Sequence, residues 1–283
     1  MSGSQVGPIY RRWFRDRLKS TIFWTLGLGG TIALTAAFYP ALESSFADLG
    51  SQDGGVASIM GLSGGIDPST PLGFLWSNLY ANIVPWILMA LAIALGTAAI
   101  AGDEESGTLE YLLSKPVTRT QVVVARFAAM VTILAVAAVV SGVLLMLVAP
   151  FVDLTGARTT TTGGTSVTSP GLGVGNVAAG TLAAFAVGLG SGGVAFVVGA
   201  ATGRKSLAMG VSTGLAVGGY LLYTLANVTN DLKVLTWLSP WRWYVDDAML
   251  IDGLTWNVCL PFVLAAVCLV ASVRLFARRD LQS

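Results

Sequence analysis

The 283-residue sequence contains no histidine and only two cysteines. Cys259 and Cys268 lie nine residues apart in one apolar segment. On a helix this is a separation of about 13.5 Å, which is too far for a mutual disulfide. No carboxylate or cysteine cluster has metal-ligand spacing, and no apolar segment presents a plausible set of catalytic groups. We therefore predict no metal site and no catalytic residue, and we do not expect the chain to be an enzyme.

Charge is also scarce, because only 11% of the residues are charged and 54% are hydrophobic. Soluble domains carry roughly 25% charged residues, so this composition excludes an ordinary soluble protein. A helix needs about 20 apolar residues to cross a bilayer. We predict an all-α integral membrane protein, with a single domain over residues 1–283. Its six transmembrane helices are expected at Thr21–Tyr39, Leu79–Ala101, Val122–Val152, Leu172–Gly203, Leu207–Val228 and Trp256–Phe276.

The positions of the basic residues predict which side of the membrane each loop occupies. Of the 16 lysines and arginines, thirteen lie before the first span, after the second, after the fourth or at the end of the sixth. The long loop from Pro40 to Asn78 has none. By the positive-inside rule, both termini and residues 102–119 lie in the cytoplasm of a multi-pass cell-membrane protein. The net charge of +1 gives no indication of a nucleic-acid partner.

Residues 1–20 form a basic and aromatic segment before the first span. Within Ile9–Ser20, basic residues alternate with aromatic or apolar ones, and Ile9, Trp13 and Arg17 follow at four-residue intervals. This spacing favours a cytoplasmic helix lying in the membrane interface. An unstructured basic anchor that only fixes the topology is the alternative.

The segment Gly102–Arg119, GDEESGTLEYLLSKPVTR, is a polar island between the second and third spans. We predict a short helix here, ended by Pro116, because the residue before a proline is disfavoured in helical geometry. Thr118 and Gln121 then form a capping box at the start of the third span. The predicted short helix carries an apolar stripe of Leu109, Leu112 and Leu113 and an acidic first half of Glu104, Glu105 and Glu110.

The string E-x-x-G-T-L-E-x-L-L-S-x-P-V-x-R at Glu104–Arg119 resembles the signature of ABC-2-type exporter permeases. In that family it forms a coupling helix that docks into the ATP-binding subunit. The resemblance implies that the leucines fill a groove on the ATPase, the carboxylates pair with basic residues at its rim, and the proline sets the angle into the third span. The implied coupling residues are Glu104, Glu105, Gly107, Thr108, Leu109, Glu110, Leu112, Leu113, Ser114, Pro116 and Arg119. An ordinary amphipathic connector with solvated charges is the alternative.

Two further segments extend the resemblance. GRKSLAMG after the fourth span and WLSPWRWY before the sixth are most similar to actinobacterial permeases grouped with polyketide-antibiotic exporters. We expect residues 229–255 to form short re-entrant helices at the outer surface, since tryptophan and tyrosine favour the membrane interface. They serve either as an outer gate or rim, or as an aromatic belt that anchors the sixth helix. The candidate residues are Trp237, Pro240, Trp241, Trp243, Tyr244, Asp246 and Asp247.

The remaining loops and the glycine rows allow coarser predictions. The external loop Pro40–Asn78 is expected to be partly packed, and Thr159–Gly171 is expected to be a flexible linker. Glycines at four-residue spacing, as in Gly210–Gly214–Gly218, let helices approach closely, either within one subunit or between subunits.

The sequence also lacks a phosphate-binding loop. The nearest match, GAATGRKS at Gly199–Ser206, has Arg204 where the lysine belongs and lies at the end of a membrane helix. ATP and magnesium are therefore expected in a separate ATP-binding subunit, present in two copies, with this chain binding no cofactor. Six spans make half of the usual translocation domain, so a second permease copy, in a homodimer, and membrane lipids are the other expected partners.

The expected function is an exporter permease that moves an apolar or amphipathic substrate, such as a drug, an antibiotic or a lipid-like molecule, outward. The spans lack ionisable residues at their centres, which argues against a proton- or ion-driven carrier. One alternative is the permease of a copper-enzyme maturation transporter. Another is a membrane scaffold or sensor that does not transport.

Overall fold

A computed structural model describes residues 6–41, 70–114, 117–162, 165–228 and 234–279. Within this part of the chain, six helices are long and apolar enough to cross a membrane, as the sequence predicts. In order, from the first span to the sixth, they are Leu18–Ala41, Pro71–Glu105, Arg119–Val152, Val174–Thr202, Lys205–Ala226 and Trp256–Arg278. The predicted all-α membrane fold is confirmed, apart from one short hairpin.

Shorter elements surround the six spans. The N-terminal helix precedes the first span, and the loop helix lies between the second and third. The aromatic segment, residues 235–252, lies between the fifth and sixth spans and contains two short helices. These elements are the N-terminal helix Val6–Asp16, the loop helix Thr108–Leu113, the strands Arg158–Thr162 and Thr165–Ser169, the 3₁₀ turn Leu235–Leu238, and the helices Pro240–Val245 and Met249–Asp252.

The second span begins earlier than the sequence predicts. Residues 71–78, expected in the external loop, are helical, and Thr70 caps them by accepting a hydrogen bond from the Gly73 N–H at 3.1 Å. The polar side chains in this stretch bond back to the helix, since Ser77 donates to the Gly73 carbonyl and Asn78 to the Phe74 carbonyl. Polar residues are thus accommodated inside the span. Most of the predicted external loop, residues 42–69, lies outside the described residues.

The second span is not a uniform α-helix. It runs as α-helix Pro71–Leu75, π-helix Trp76–Ile83, α-helix Val84–Thr97, π-helix Ala98–Gly102 and α-helix Asp103–Glu105. In the first π-helical stretch the Val84 N–H bonds to the Leu79 carbonyl. In that register the next carbonyl, of Tyr80, faces Pro85, which has no N–H to donate. The Tyr244 hydroxyl donates to this carbonyl instead, so a residue from the aromatic segment supplies the missing bond.

The second and fourth spans form the centre of the bundle, and they pack closely because glycines meet along their contact. A Cβ atom added to Gly96 would lie 2.5 Å from the Gly192 carbonyl oxygen, and one added to Gly192 would lie 2.8 Å from the Ala92 Cβ. Neither position has room for a side chain. The first, fifth and sixth spans are much less buried within the chain.

The loop between the third and fourth spans differs from the predicted flexible linker. Arg158–Thr162 and Thr165–Ser169 pair as antiparallel strands, with Thr162 opposite Thr165. Threonine-rich runs favour extended structure, and a glycine pair between them is typical of a two-residue hairpin turn. The low complexity of the sequence hid this pattern.

Candidate functional site

The polar island contains a break that the sequence analysis did not place correctly. The helix of the second span continues to Glu105, and Ser106 and Gly107 form a turn before the loop helix Thr108–Leu113. Gly107 has a φ of +71°, a left-handed conformation that glycine adopts without steric cost. We predicted that Glu104 and Glu105 begin the short helix. In the structure they end the second span instead.

Three carboxylates at this end of the second span bind groups of the same chain. Asp103 forms a salt bridge of 2.7 Å with Arg126 of the third span. Glu104 forms a salt bridge with Arg279, just beyond the sixth span, and Glu105 accepts a 2.8 Å hydrogen bond from the Lys205 backbone N–H. The Glu104 side chain is only 8% exposed and is already paired within this chain. Its pairing with a partner protein stays a prediction of the sequence motif.

The arginines at this end also donate hydrogen bonds to main-chain carbonyls of neighbouring helices. Arg126 donates to the Ala99 carbonyl in the second π-helical stretch, and Arg279 donates to the Ala200 carbonyl at 3.1 Å. Arg119 donates to the carbonyls of Phe276, at 3.0 Å, and of Arg279. Charged donors satisfy the last turn of a helix and its dipole together. The ends of the second, third, fourth and sixth spans are thereby joined. Arg126 itself is buried.

The loop helix exposes a different surface from the predicted leucine stripe. Leu109 is fully buried in the core of this chain, and Leu112 packs partly against that core. A role for Leu109 in a groove of another protein stays a prediction of the sequence motif. Tyr111 is 61% exposed, and Thr108 and Ser114 are also exposed. Pro116 lies outside the described residues, as do the side chains of Glu110 and Leu113.

The third span begins as the sequence predicts. The Thr118 hydroxyl accepts a hydrogen bond from the Gln121 backbone N–H at 3.2 Å, and the Gln121 side chain accepts one from the Thr118 N–H at 3.0 Å. The predicted capping box is thus confirmed. It fixes the point at which the chain re-enters the helical bundle.

In the aromatic segment, the residues at the centre are part of the helical core. Trp241 is fully buried; its indole N–H donates to the Ala216 carbonyl at 3.0 Å, and its ring lies 4.8 Å from that of Trp86. Tyr244 is also fully buried. Ser239 caps the helix that Pro240 begins. These side chains hold the segment against the second and fifth spans.

The other candidates in the aromatic segment lie nearer its surface. Trp237 is 49% exposed, and its carbonyl accepts a hydrogen bond from the Trp243 indole N–H. Asp246 accepts one from the Tyr223 hydroxyl at 2.9 Å, and burial raises the pKa of its carboxyl above the usual value. Asp247 accepts hydrogen bonds from Thr255 and Asn257 and so ties the segment to the start of the sixth span.

The glycine rows divide into two groups. Gly188 and Gly192 contact the second span, and Gly190 and Gly193 contact the sixth. The row Gly210, Gly214 and Gly218 on the fifth span differs, because a Cβ atom added at any of these would meet no atom of the described chain within 4 Å. This row is therefore on an open face of the subunit.

The fold and this site define a polytopic helical membrane protein with a short helix mounted on the joined ends of its spans. A family model described as ABC-2 family transporter protein matches residues 8–281. The chain belongs to that family, as the motif at Glu104–Arg119 led us to expect. Comparison with curated proteins finds no match.

Proposed function

We propose that this chain is the permease subunit of an ATP-driven exporter and that a separate ATP-binding subunit docks on the loop helix. The observation that carries the proposal is the mounting of that helix. Its base is held by Asp103 to the third span, by Glu105 to the start of the fifth and by Glu104 to the end of the sixth. A force applied to the loop helix is thereby passed to several spans at once.

The docking surface differs in detail from a simple leucine stripe. Gly107, Thr108, Tyr111 and Ser114 are the residues proposed to contact the ATPase, since they are exposed on the loop helix and its flanks. The buried Leu109 and the partly buried Leu112 fix the helix to the bundle. Glu104, Glu105 and Arg119 stabilise the neighbouring helix ends through their contacts with Arg279, Lys205 and Phe276. Glu110, Leu113 and Pro116 remain coupling candidates on the sequence motif. ATP and magnesium are bound by the partner.

The orientation of the proposed permease follows from its charges. Basic residues lie on the N-terminal helix and near the loop helix, and they include Lys205 and Arg279. The positive-inside rule assigns all of these regions to the cytoplasm. Both termini then lie in the cytoplasm of a cell-membrane protein, on the side where ATP is available.

The proposed assembly is a homodimer of permeases with two ATP-binding subunits. The open row Gly210, Gly214 and Gly218 supports it, because small residues allow helices of two subunits to approach closely in a membrane. Closure of the ATPases would push the loop helices and rock the two halves against each other. The apolar spans suit an amphipathic substrate such as an antibiotic or a lipid-like molecule, and Trp237 is an exposed candidate for the outer rim.

The test is co-purification of the tagged chain from native membranes, followed by identification of its partners by mass spectrometry. The expected partner is a stoichiometric protein with a phosphate-binding loop. Tyr111→Ala should reduce its recovery at least about tenfold, as expected when a large exposed aromatic anchor is lost from an interface. Phe151→Ala is the matched control, because Phe151 is 89% exposed and lies at the other end of the third span.

The outcomes separate transport from other roles. Loss of the partner with Tyr111→Ala alone supports docking at the loop helix. Equal recovery from both variants would refute the docking surface, and a folded dimer that never recovers an ATPase would favour a scaffold or sensor. The melting temperature of each variant shows whether a loss of partner recovery is due to misfolding.

A further inference from the structure

A polar cavity of about 360 Å³ lies between the N-terminal helix, the loop helix and the third span. Its volume is in the range of small-ligand sites. We call it the arginine cavity, after the three arginines in its wall. Its polar lining includes Arg12, Asp16, Arg17, Asp103, Thr108 and Arg126. Thr108 and Tyr111 of the docking surface proposed above also line this cavity. The docking proposal leaves the arginines of the cavity wall without a role.

The arginine cavity has more positive than negative charge. Arg12, Arg17 and Arg126 face two carboxylates, Asp16 and Asp103, so one positive charge is not balanced by the wall itself. Asp103 is already committed to its salt bridge with Arg126. Burial lowers the pKa of Arg17, and the attraction of Asp103 and Asp16 acts in the opposite direction. An anion in the cavity would restore the balance.

Two N–H groups of the cavity wall also lack an acceptor. Trp13 is 6% exposed and the Arg126 side chain 4%, and neither the Trp13 indole N–H nor the Arg126 Nε–H has a hydrogen-bond partner within the described chain. Buried donors are rarely left without an acceptor in folded proteins. Both groups belong to residues that line the cavity. The guanidinium groups provide the direct contacts.

The position of the cavity indicates what kind of anion is available. The N-terminal helix packs Ile9 and Trp13 against the bundle and exposes Arg11, Arg12 and Arg15. The next helix, starting at Leu18, is the first membrane span. A basic helix that leads directly into a span lies where phospholipid headgroups are concentrated. Guanidinium groups bind phosphate oxygens through paired, charge-assisted hydrogen bonds.

We propose that the arginine cavity binds a phosphate group at the membrane surface, carried by an anionic phospholipid headgroup or by a soluble phosphate. Arg12 and Arg17 contact the phosphate from the N-terminal helix side, and Arg126 provides the positive floor. The bound group would join the N-terminal helix to the loop helix, because both line the same cavity. This inference is independent of the direction of transport, and its test needs no ATPase partner.

The experiment compares Arg12→Gln with Arg11→Gln in the full-length chain. Both arginines are exposed on the N-terminal helix, but only Arg12 lines the cavity, so the two variants lose the same charge and should both fold. In the lipid arm, the proteins are placed in nanodiscs of mixed phosphatidylglycerol and phosphatidylcholine, and retained phosphatidylglycerol is counted by native mass spectrometry. In the soluble arm, inorganic phosphate is added in phosphatidylcholine nanodiscs, with chloride at equal ionic strength, and the melting temperature is followed.

We expect Arg12→Gln to weaken binding about tenfold, the loss typical of one charge-assisted contact, and Arg11→Gln to behave like the unaltered chain. Loss of retained phosphatidylglycerol identifies the headgroup as the source of the phosphate. A phosphate-induced rise in melting temperature that only Arg12→Gln abolishes identifies a soluble phosphate. If the two variants behave alike in both arms, the basic helix attracts anions without a site and the proposal is overturned.

Discussion

The salt bridge between Glu104 and Arg279 is the contact through which the base of the loop helix meets the end of the sixth span. Its side chains are only 8% and 15% exposed, and the two residues are 175 positions apart in the sequence. Glu104→Gln keeps the shape of the side chain and removes its charge. The new amide oxygen can still accept a hydrogen bond from Arg279, but neither this oxygen nor the Ala200 carbonyl neutralises the guanidinium.

Removing one partner of a buried ion pair typically costs about 3–5 kcal/mol, because the other charge stays buried without compensation. Since this pair is slightly exposed, we expect about 3 kcal/mol for Glu104→Gln, or a fall in melting temperature of roughly 6 °C. Glu105→Gln is the matched control. Glu105 is exposed, and the new amide oxygen can still accept the bond from Lys205, so its change should stay within about 0.5 kcal/mol.

The chain provides its own reporter for this measurement. Cys268 is buried in the sixth span, so a thiol-reactive dye labels it only on unfolding, and Cys259→Ser removes the exposed thiol that would react earlier. The melting difference should persist at high salt, because buried pairs are weakly screened. If Glu104→Gln and Glu105→Gln melt at the same temperature, the pair does not join these helices, and the proposed force path through the sixth span is wrong.

Two further predictions concern the helical core and the proposed dimer. Tyr244→Phe should cost about 1–3 kcal/mol by leaving the Tyr80 carbonyl without a donor, and less in a Pro85→Ala background that regains a backbone N–H; equal losses in both backgrounds would contradict this account. Gly192→Val should destabilise the fold, because its Cβ site lies 2.8 Å from an alanine Cβ. A side chain at Gly214 meets only open space in this chain, so Gly214→Val should leave the melting temperature unchanged. It should lower the dimer fraction measured by size-exclusion chromatography with light scattering. An unchanged dimer fraction would argue against this interface.

The limits of the sequence analysis can be seen at particular residues. The capping box of Thr118 was predictable because its residues are neighbours in the chain and its geometry is local. The start of the second span at Pro71 was not, because Ser77 and Asn78 look polar in the sequence and are satisfied by carbonyls one turn earlier. The hairpin was not predicted because its low-complexity composition resembles that of a linker, although threonine runs flank a glycine pair.

In the candidate site, too, the contiguous motif was predictable from the sequence and the contacts between distant helices were not. The motif at Glu104–Arg119 led to the family, whereas Arg126 and Arg279 entered the sequence predictions only through the topology. Their second role, as partners of Asp103 and Glu104, depends on helices that are distant in the sequence. A signal was nevertheless present, since carboxylates and arginines at the same predicted end of several spans can be expected to meet.

The sequence by itself determined the membrane class, the six spans and the family, because hydrophobic length and a contiguous motif are properties of adjacent residues. Tertiary structure decided which groups of that motif are available to a partner. Leu109 and Glu104 are buried by contacts within this chain, whereas Tyr111 is exposed. The physical reason is that burial and charge compensation depend on which helix ends are brought together, and only the packing of the bundle fixes that.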